Sequence, residues 1–219
     1  MLDRLQEQLT AIYQVDTDYR IDDFLITDPA VARVLGRESI LPDTDETVLL
    51  VQDDESVSLS VYLDEHMLAR LAAQDPLTNL LPDQLSDLWT VIEGISHFTY
   101  LVWCAQQDKP VTLLELELQA EVDKFVSTWL LALRQEDTEL AARLHGWLFD
   151  EVSFHPALEG DERERYRAAN DYAARFCHRL RDRLPADGDS GGLQELRHFY
   201  RLTQGRKISH IHSQAWLKN

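Results

Sequence analysis

Polar side chains interrupt the two most apolar segments of the chain, residues 84–107 and 112–134. The first segment contains Glu93, His97 and Tyr100, and the second contains Glu117, Glu121 and Lys124. In each set the members lie four and then three positions apart, which places them on one face of an α-helix. A buried carboxylate is unfavourable unless it is ion-paired, hydrogen-bonded or bound to a metal. If both segments are buried helices that face each other, these residues form a polar seam between them.

The seam has two interpretations. In one it holds a divalent metal, because facing helices of bundle proteins bind iron, manganese or zinc through carboxylates and histidine. The metal ligands would then be Glu93, His97, Glu117 and Glu121. In the other, Glu121 pairs with Lys124 and Glu93 with His97, and the network fixes the helix register without a cofactor. We favour the second interpretation, because Glu93 and His97 are four residues apart whereas di-iron bundles use Glu-x-x-His motifs.

A second group of candidates is cationic and aromatic. It comprises seven residues of segment 160–184 and of the C-terminal tail: Arg163, Arg165, Tyr166, Arg197, Tyr200, Arg201 and Lys207. Arginine binds phosphate and carboxylate through two parallel hydrogen bonds, so a cluster of arginines beside tyrosines could hold an anionic ligand. The favoured alternative is internal pairing of these cations with nearby acids or with the acidic N-terminal part of the chain.

No motif in the chain identifies a reaction. The sequence contains no Gly-x-Ser-x-Gly, no glycine-rich phosphate loop, no dinucleotide-binding fingerprint and no His-Glu-x-x-His. Whether the protein is an enzyme therefore stays open. The leading hypothesis is a non-catalytic interaction or accessory subunit. The alternative is a small metal- or anion-binding enzyme that uses the polar seam.

The charge of the chain restricts its partners. The formal net charge is −18, with 17 acids against five bases in residues 1–75 and five bases against one acid in residues 193–219. Nucleic acids and anionic lipids bind mainly through cationic side chains, so we expect neither as a partner. A protein with a basic surface, or self-association, is the expected interaction. With only two cysteines and no visible leader or membrane-spanning run, the expected location is the cytoplasm.

Apolar periodicity predicts the elements that position these residues. Residues 2–14 and 29–36 have the spacing of short helices, and residues 19–26 could form a strand. Residues 48–51 are apolar and residues 57–63 alternate apolar and polar side chains, which predicts a β-hairpin. The N-terminal part is therefore predicted to be a small antiparallel sheet with flanking helices.

Beyond the hairpin the apolar spacing is helical. Helices are predicted at 64–71, 84–107, 112–134, 137–150, 160–184 and 193–204. The second and third of these are apolar around most of their circumference, so we expect them to be a buried antiparallel pair. The chain is predicted to be α+β, with a strand-bearing part over residues 1–75 and a helical bundle over residues 76–219 of one continuous domain.

Overall fold

The structure is a computed structural model that describes residues 1–36, 44–52, 57–152, 157–184 and 191–213. Its helices and strands are α1 (Leu2–Tyr13), β1 (Leu25–Ile26), α2 (Pro29–Gly36), β2 (Glu46–Gln52), β3 (Val57–Leu63), α3 (Glu65–Ala73), α4 (Leu85–Gln106), α5 (Leu113–Arg134), α6 (Thr138–His145), α7 (Gly160–Leu180), α8 (Gly191–Arg201) and α9 (Gln204–His212). Short turns of other helix types lie between them: Ile21–Phe24, Pro82–Gln84, Gly146–Asp150 and Arg181–Arg183. The predicted α+β class is confirmed, since a small sheet precedes a helical bundle.

The sheet is mixed, so the prediction of an antiparallel sheet is wrong for one strand. Strands β2 and β3 form the predicted antiparallel hairpin, but β1 runs parallel to β3, with Leu25 opposite Val61. The described strands therefore have the order β1-β3-β2. Alternating apolar residues predict that a segment is extended, but they do not specify which strand it pairs with or in which direction. Only the last two residues of the predicted strand 19–26 pair, because Ile21–Phe24 forms a 3₁₀ turn.

The two faces of the sheet pack against different helices. On one face, Val61 and Leu63 of β3 are fully buried in the main core, next to α4. On the other face, Leu49 and Tyr62 pack with Ala32 of α2 in a small separate cluster. Successive side chains of a strand point to opposite faces, so one strand supplies both clusters. On the face that packs against α4, the start of β2 lies close to the middle of that helix.

Helices α4 and α5 form the predicted antiparallel pair. The Trp89 indole donates a hydrogen bond to Thr128 Oγ1 at 3.1 Å, and Tyr100 Oη donates to Glu115 Oε1 at 2.5 Å. Residue numbers therefore fall along α5 as they rise along α4. Helix α5 also packs against α7, which explains why its apolar residues are buried on more than one side.

One contiguous core connects the start of the chain to its end. Among the described residues it includes Leu5 and Leu9 of α1, Val61 of β3, Ile95 of α4 and Ile211 of α9. Whether residues 1–75 and 76–219 separate into two parts stays a prediction. Within the described part of the chain, every helix is too short or too polar to cross a lipid bilayer.

The C-terminal tail contains a helix that the sequence pattern did not predict. The predicted helix 193–204 is α8, which ends at Arg201, and a second helix, α9, begins at Gln204. Two residues of α9 are buried, Lys207 and Ile211. Because one of the two is a lysine, the segment lacks the apolar spacing that indicates an amphipathic helix.

Candidate functional site

The polar seam forms between α4 and α5 much as the spacing predicts. Lys124 Nζ lies 2.8 Å from Glu93 Oε2 and 2.6 Å from Glu121 Oε1. His97 Nε2 lies 3.5 Å from Glu117 Oε2, and both side chains are only 7% exposed. Five of the six predicted seam residues therefore come together, and the predicted pairing of Glu121 with Lys124 is confirmed. Glu93, however, pairs with Lys124 rather than with His97.

A further carboxylate, Glu46 from the start of β2, completes this site. Its Oε1 lies 3.3 Å from His97 Nδ1, so the imidazole stands between two carboxylates. Gly94 makes this approach possible, since a Cβ at that position would lie 3.2 Å from Glu46 Cγ and 3.0 Å from Leu63 Cδ2. Glu46 lies two residues before the predicted strand 48–51, so the apolar pattern did not include it. A glycine inside a buried helix was the available signal for a close approach.

Helix α7 closes the site from a third side. Arg165 Nε lies 4.0 Å from Glu117 Oε1, and the Tyr166 phenol lies near the same carboxylate. Two of the predicted anion-binding residues therefore contact an anion of their own chain, as the internal-pairing interpretation predicts. We call the whole group the carboxylate cluster: Glu46, Glu93, His97, Glu117, Glu121, Lys124, Arg165 and Tyr166.

Burial and charge set the protonation states in the carboxylate cluster. Burial raises the pKa of Glu46 and of Glu121 above the ordinary carboxyl value. Burial also opposes ionisation of Glu93, but Lys124 and His97 together outweigh it and hold the pKa of Glu93 below its ordinary value. For His97, burial opposes the charge, yet the carboxylates of Glu117 and Glu46 raise its pKa well above 6.5. The two carboxylates therefore favour the positively charged imidazolium form of His97.

Three side chains of the carboxylate cluster have the arrangement of metal ligands. Each of Glu46, Glu93 and His97 offers one ligand atom, and these three atoms lie within 4.8 Å of one another. Atoms bound to one ion at about 2.0–2.2 Å are separated by roughly 3–3.5 Å, and Glu46 and His97 already have this separation. Mixed carboxylate and imidazole ligands suit zinc, manganese and iron. Two of the four ligands predicted from sequence, Glu93 and His97, belong to this group. The other two do not: Glu121 pairs with Lys124, and Glu117 lies next to Nε2 of His97.

Three buried polar atoms of the same cluster lack a hydrogen-bond partner among the described residues. They are His97 Nε2, Glu121 Oε2 and Arg165 Nε. Buried polar atoms are almost always hydrogen-bonded, and exceptions call for an explanation such as an ion or a water molecule. The internal network therefore leaves part of the cluster unsatisfied.

Tyr100 belongs to a different polar network from the one predicted for it. Its hydroxyl donates to Glu115 Oε1 at 2.5 Å and receives a hydrogen bond from Lys109 Nζ at 3.0 Å. The Lys109 ammonium also pairs with Glu115, whose Oε2 accepts from the backbone N–H of Gln204 at 2.8 Å. Tyr100 lies one turn farther along α4 than His97, where the neighbouring face of α5 presents Glu115.

The same face of α5 carries a deeply buried aspartate. Asp123 accepts hydrogen bonds from Ser96 Oγ at 2.5 Å, from Gln119 Nε2 at 2.9 Å and from the Tyr13 hydroxyl. Burial raises the pKa of Asp123 to about 6 in spite of these bonds. Lys207 donates to Gln119 and completes this set of residues, which we call the Asp123 network.

Lys207 has an unusual environment for an ammonium group. It is fully buried, and its Nζ lies 4.8 Å from the ring centre of Tyr100 and 4.7 Å from that of Phe199. Burial lowers the pKa of Lys207 to about 7. Lys207 was predicted as an anion-binding residue, but it lies inside the bundle with Gln119 as its hydrogen-bond acceptor.

The remaining predicted anion-binding residues do not form one site. Arg197 Nε donates to the carbonyl of Ile12 at 3.0 Å, and Arg201 donates to the carbonyls of Tyr13 and Gln14 at 3.1 and 3.2 Å. The last carbonyls of a helix lack partners within the helix and carry partial negative charge, so these arginines stabilise the end of α1. Tyr200 is buried and stacks on Tyr13, whereas Arg163 is exposed on α7.

Comparison of the chain with protein-family models, with curated proteins and with solved structures finds no match. The function of the protein is therefore inferred from its own geometry and charge. Within the part of the chain that the structure describes, Glu46, Glu93 and His97 form a group whose ligand atoms lie close enough together to hold a metal ion.

Proposed function

We propose that the protein binds one divalent metal ion through Glu46, Glu93 and His97. The observation that carries the proposal is the convergence of these three ligand atoms, from a strand and a helix, within 4.8 Å. Two carboxylates and one imidazole favour zinc, manganese or iron over calcium or magnesium, which prefer oxygen ligands alone. This is the metal-binding alternative of the sequence analysis, with Glu46 in place of Glu117 and Glu121.

The charge of the cluster supports a dication. Four buried or half-buried carboxylates belong to it, and Lys124 and Arg165 supply two permanent positive charges. A protonated His97 leaves one surplus negative charge. A divalent ion that displaces the His97 proton leaves none, and buried charge is least costly when it is balanced.

Groups around the three ligands have supporting roles. Glu117 faces the second ring nitrogen of His97 at 3.5 Å, the position from which a carboxylate orients a metal-binding imidazole and raises its basicity. Lys124 holds Glu93 and Glu121 through its ammonium group, so a fixed cation already offsets the negative charge of these carboxylates. We therefore expect one ion per chain rather than a pair.

The test is a metal titration of protein purified without a metal-affinity step and freed of metal by a chelator. Calorimetry with Zn²⁺ and with Mn²⁺ is expected to give one site per chain for at least one of the two ions. His97→Gln and Glu46→Gln each remove a ligand and should weaken binding by at least about tenfold. Circular dichroism checks that each variant is folded.

Glu121→Gln is the matched control, because it has the same isosteric change within the same cluster but leaves the three ligands intact. It should weaken binding much less than His97→Gln or Glu46→Gln does, because it changes only the surrounding charge. If neither Zn²⁺ nor Mn²⁺ bound to the protein, the proposal would be wrong. If Glu121→Gln lost metal binding while Glu46→Gln kept it, the metal site would instead be the predicted polar seam between α4 and α5.

We propose a second function, interaction with a protein that has a basic surface, on a separate observation. Asp16, Asp18, Asp22 and Asp23 are exposed in the segment between α1 and β1, whereas Arg201 of the basic tail contacts the chain itself. The surface thus keeps its acidic character, which favours a basic partner or an accessory role. A pull-down whose captured partner is released by salt supports this function, and a protein that captures none and remains monomeric contradicts it.

The cytoplasm is the compartment that we propose for these functions. Cys104 and Cys177 are both free and buried. Free buried thiols are usual for proteins of reducing compartments, where disulfides are rare. Mass spectrometry of protein that is unfolded in denaturant and then alkylated without a reductant should find both thiols modified, which shows that they were reduced.

A further inference from the structure

A cleft of about 860 Å³ lies between α1, the loop after α3, the C-terminal end of α5 and α8. Its volume is within the range of roughly 300–1,000 Å³ that small-molecule sites occupy. None of its lining residues belongs to the carboxylate cluster or to the Asp123 network. Of the seven predicted anion-binding residues, only Arg197 lines it. The cleft is therefore independent of the proposed metal site.

The cleft has an apolar part that four separate elements supply. Ile12 comes from α1, Leu77 from the loop, Leu130 and Leu131 from α5, and Leu193 from α8. All five side chains are buried or half-buried, so they are held in place by the core behind them. Small-molecule sites are lined in this way, mainly by apolar side chains with a few polar groups that set orientation.

The charged groups of the cleft are mainly arginines. Arg4, Arg134 and Arg197 line it, and Glu7 is the single acid among the lining residues. The lining residues thus have an excess of two positive charges, one of which the ion pair of Arg4 with Asp75 offsets, in a chain whose formal net charge is −18. A cleft with the opposite sign of charge to the rest of the protein concentrates anions locally.

Neighbouring residues hold two of these arginines beside the cleft. Arg134 donates to Gln8 Oε1 at 2.8 Å through Nη2 and to the carbonyl of Leu130 at 3.3 Å through Nε. Arg4 is paired with Asp75 at 2.8 Å through Nη1. A guanidinium group has five N–H donors, so each keeps donors for a ligand. Side chains that are already positioned lose less entropy when they bind.

We propose that this cleft binds a small anionic amphiphile, a molecule with one carboxylate or equivalent anionic head and an apolar body. The body packs against Leu77, Leu130 and Leu193. The head accepts hydrogen bonds from the guanidinium groups of Arg134 and Arg4, which bind carboxylates well because their donors are planar and paired.

The experiment uses decanoate as the probe, titrated into the full-length protein by calorimetry below the concentration at which decanoate forms micelles. Decanol has the same apolar chain without the charge, and inorganic phosphate has charge without the chain. Decanoate should bind with one site per chain and at least about tenfold more tightly than either, because a hydrogen bond to a charged group contributes that much to affinity. Decyl phosphate distinguishes a preference for carboxylate from one for phosphate.

Two variants locate the site. Arg134→Gln and Arg4→Gln should each weaken decanoate binding by about tenfold. The matched control is Arg143→Gln on α6, an exposed arginine that does not line the cleft, and it should bind decanoate normally. Equal binding of decanoate and decanol, no binding of decanoate, or full affinity in both cleft variants would each overturn the proposal. Binding of an acidic, apolar peptide in place of decanoate would do the same.

Discussion

Alternate residues of α5 are polar, and the helix divides them between two sites. With about 3.6 residues per turn, Glu115, Gln119 and Asp123 point one way while Glu117 and Glu121 point another. The first three contribute to the networks around Tyr100 and Lys207, and the last two belong to the carboxylate cluster. A single segment of sequence therefore supports two buried polar regions.

Most of the seam could be predicted from sequence because its residues are on two helices. Spacing of three and four residues specifies a helix face, so Glu93, His97 and Glu117 were found together. The same spacing relates Glu115, Gln119 and Asp123 and could have revealed the second face. Glu46 could not be found this way, since a contact between a strand and a helix depends on packing that periodicity does not encode.

Lys207 leads to a prediction about pH. In the unfolded chain its amine binds a proton below about 10.5, and in the folded protein only below about 7. Between these values the unfolded state holds more protons, so this group makes stability rise with pH. Lys207→Met should raise the free energy of unfolding near pH 7 by about 1–4 kcal/mol. The gain should shrink towards pH 10.

Chemical denaturation over this pH range measures the effect. Lys109→Met is the matched control with the opposite sign, because it removes the cation that pairs with Glu115 and should destabilise the protein. If the free energies of unfolding of the unaltered protein and of Lys207→Met changed with pH in parallel, Lys207 would not be a buried amine.

At the scale of elements, the contact between the hairpin and α4 builds the proposed metal site. It brings Glu46, the first residue of β2, to His97 on a helix. Gly94 is the residue that permits this contact. Helix α9 is the opposite case. Lys207 occupies a buried position that an apolar residue would usually fill, so the apolar spacing does not predict this helix.

Gly94→Val should separate the hairpin from α4. A Cβ alone would already lie 3.0 Å from Leu63 and 3.2 Å from Glu46, so the larger side chain forces the strands away. We expect a loss of about 1–3 kcal/mol in the free energy of unfolding and weaker metal binding.

Gly205→Val on α9 is the matched control, because no atom lies within 4 Å of its added Cβ. Valine and glycine differ little in helix propensity, so stability should hardly change. Calorimetric unfolding and a metal titration measure both variants. Equal stability and equal metal affinity in the two variants would refute the role of Gly94.

At the scale of the whole molecule, the strand-bearing part and the bundle share a core. Tyr13 of α1 stacks on Tyr200 of α8 and donates to Asp123 of α5, and Val61 of β3 is buried in the same cluster as Ile95. The sequence analysis predicts one continuous domain, but pairings between residues so far apart along the chain could not be derived from local patterns.

Unfolding should therefore be a single cooperative transition. All five tryptophans lie beyond residue 75, so their fluorescence reports on the bundle alone. Hydrogen exchange at the amides of Val61 and Leu63 reports on the sheet. Both probes should give the same midpoint in denaturant, as expected for one cooperative unit. A sheet that opens at lower denaturant would instead divide the chain near residue 75.

The central claim is that a metal ion binds between the hairpin and α4. Anomalous diffraction from crystals of the protein with Zn²⁺ or Mn²⁺, recorded at the absorption edge of the metal, tests it most directly. The account predicts one peak per chain, with Glu46, Glu93 and His97 at about 2.0–2.2 Å from it. A crystal with no peak among these three side chains, at metal concentrations that saturate the titration, would contradict the account.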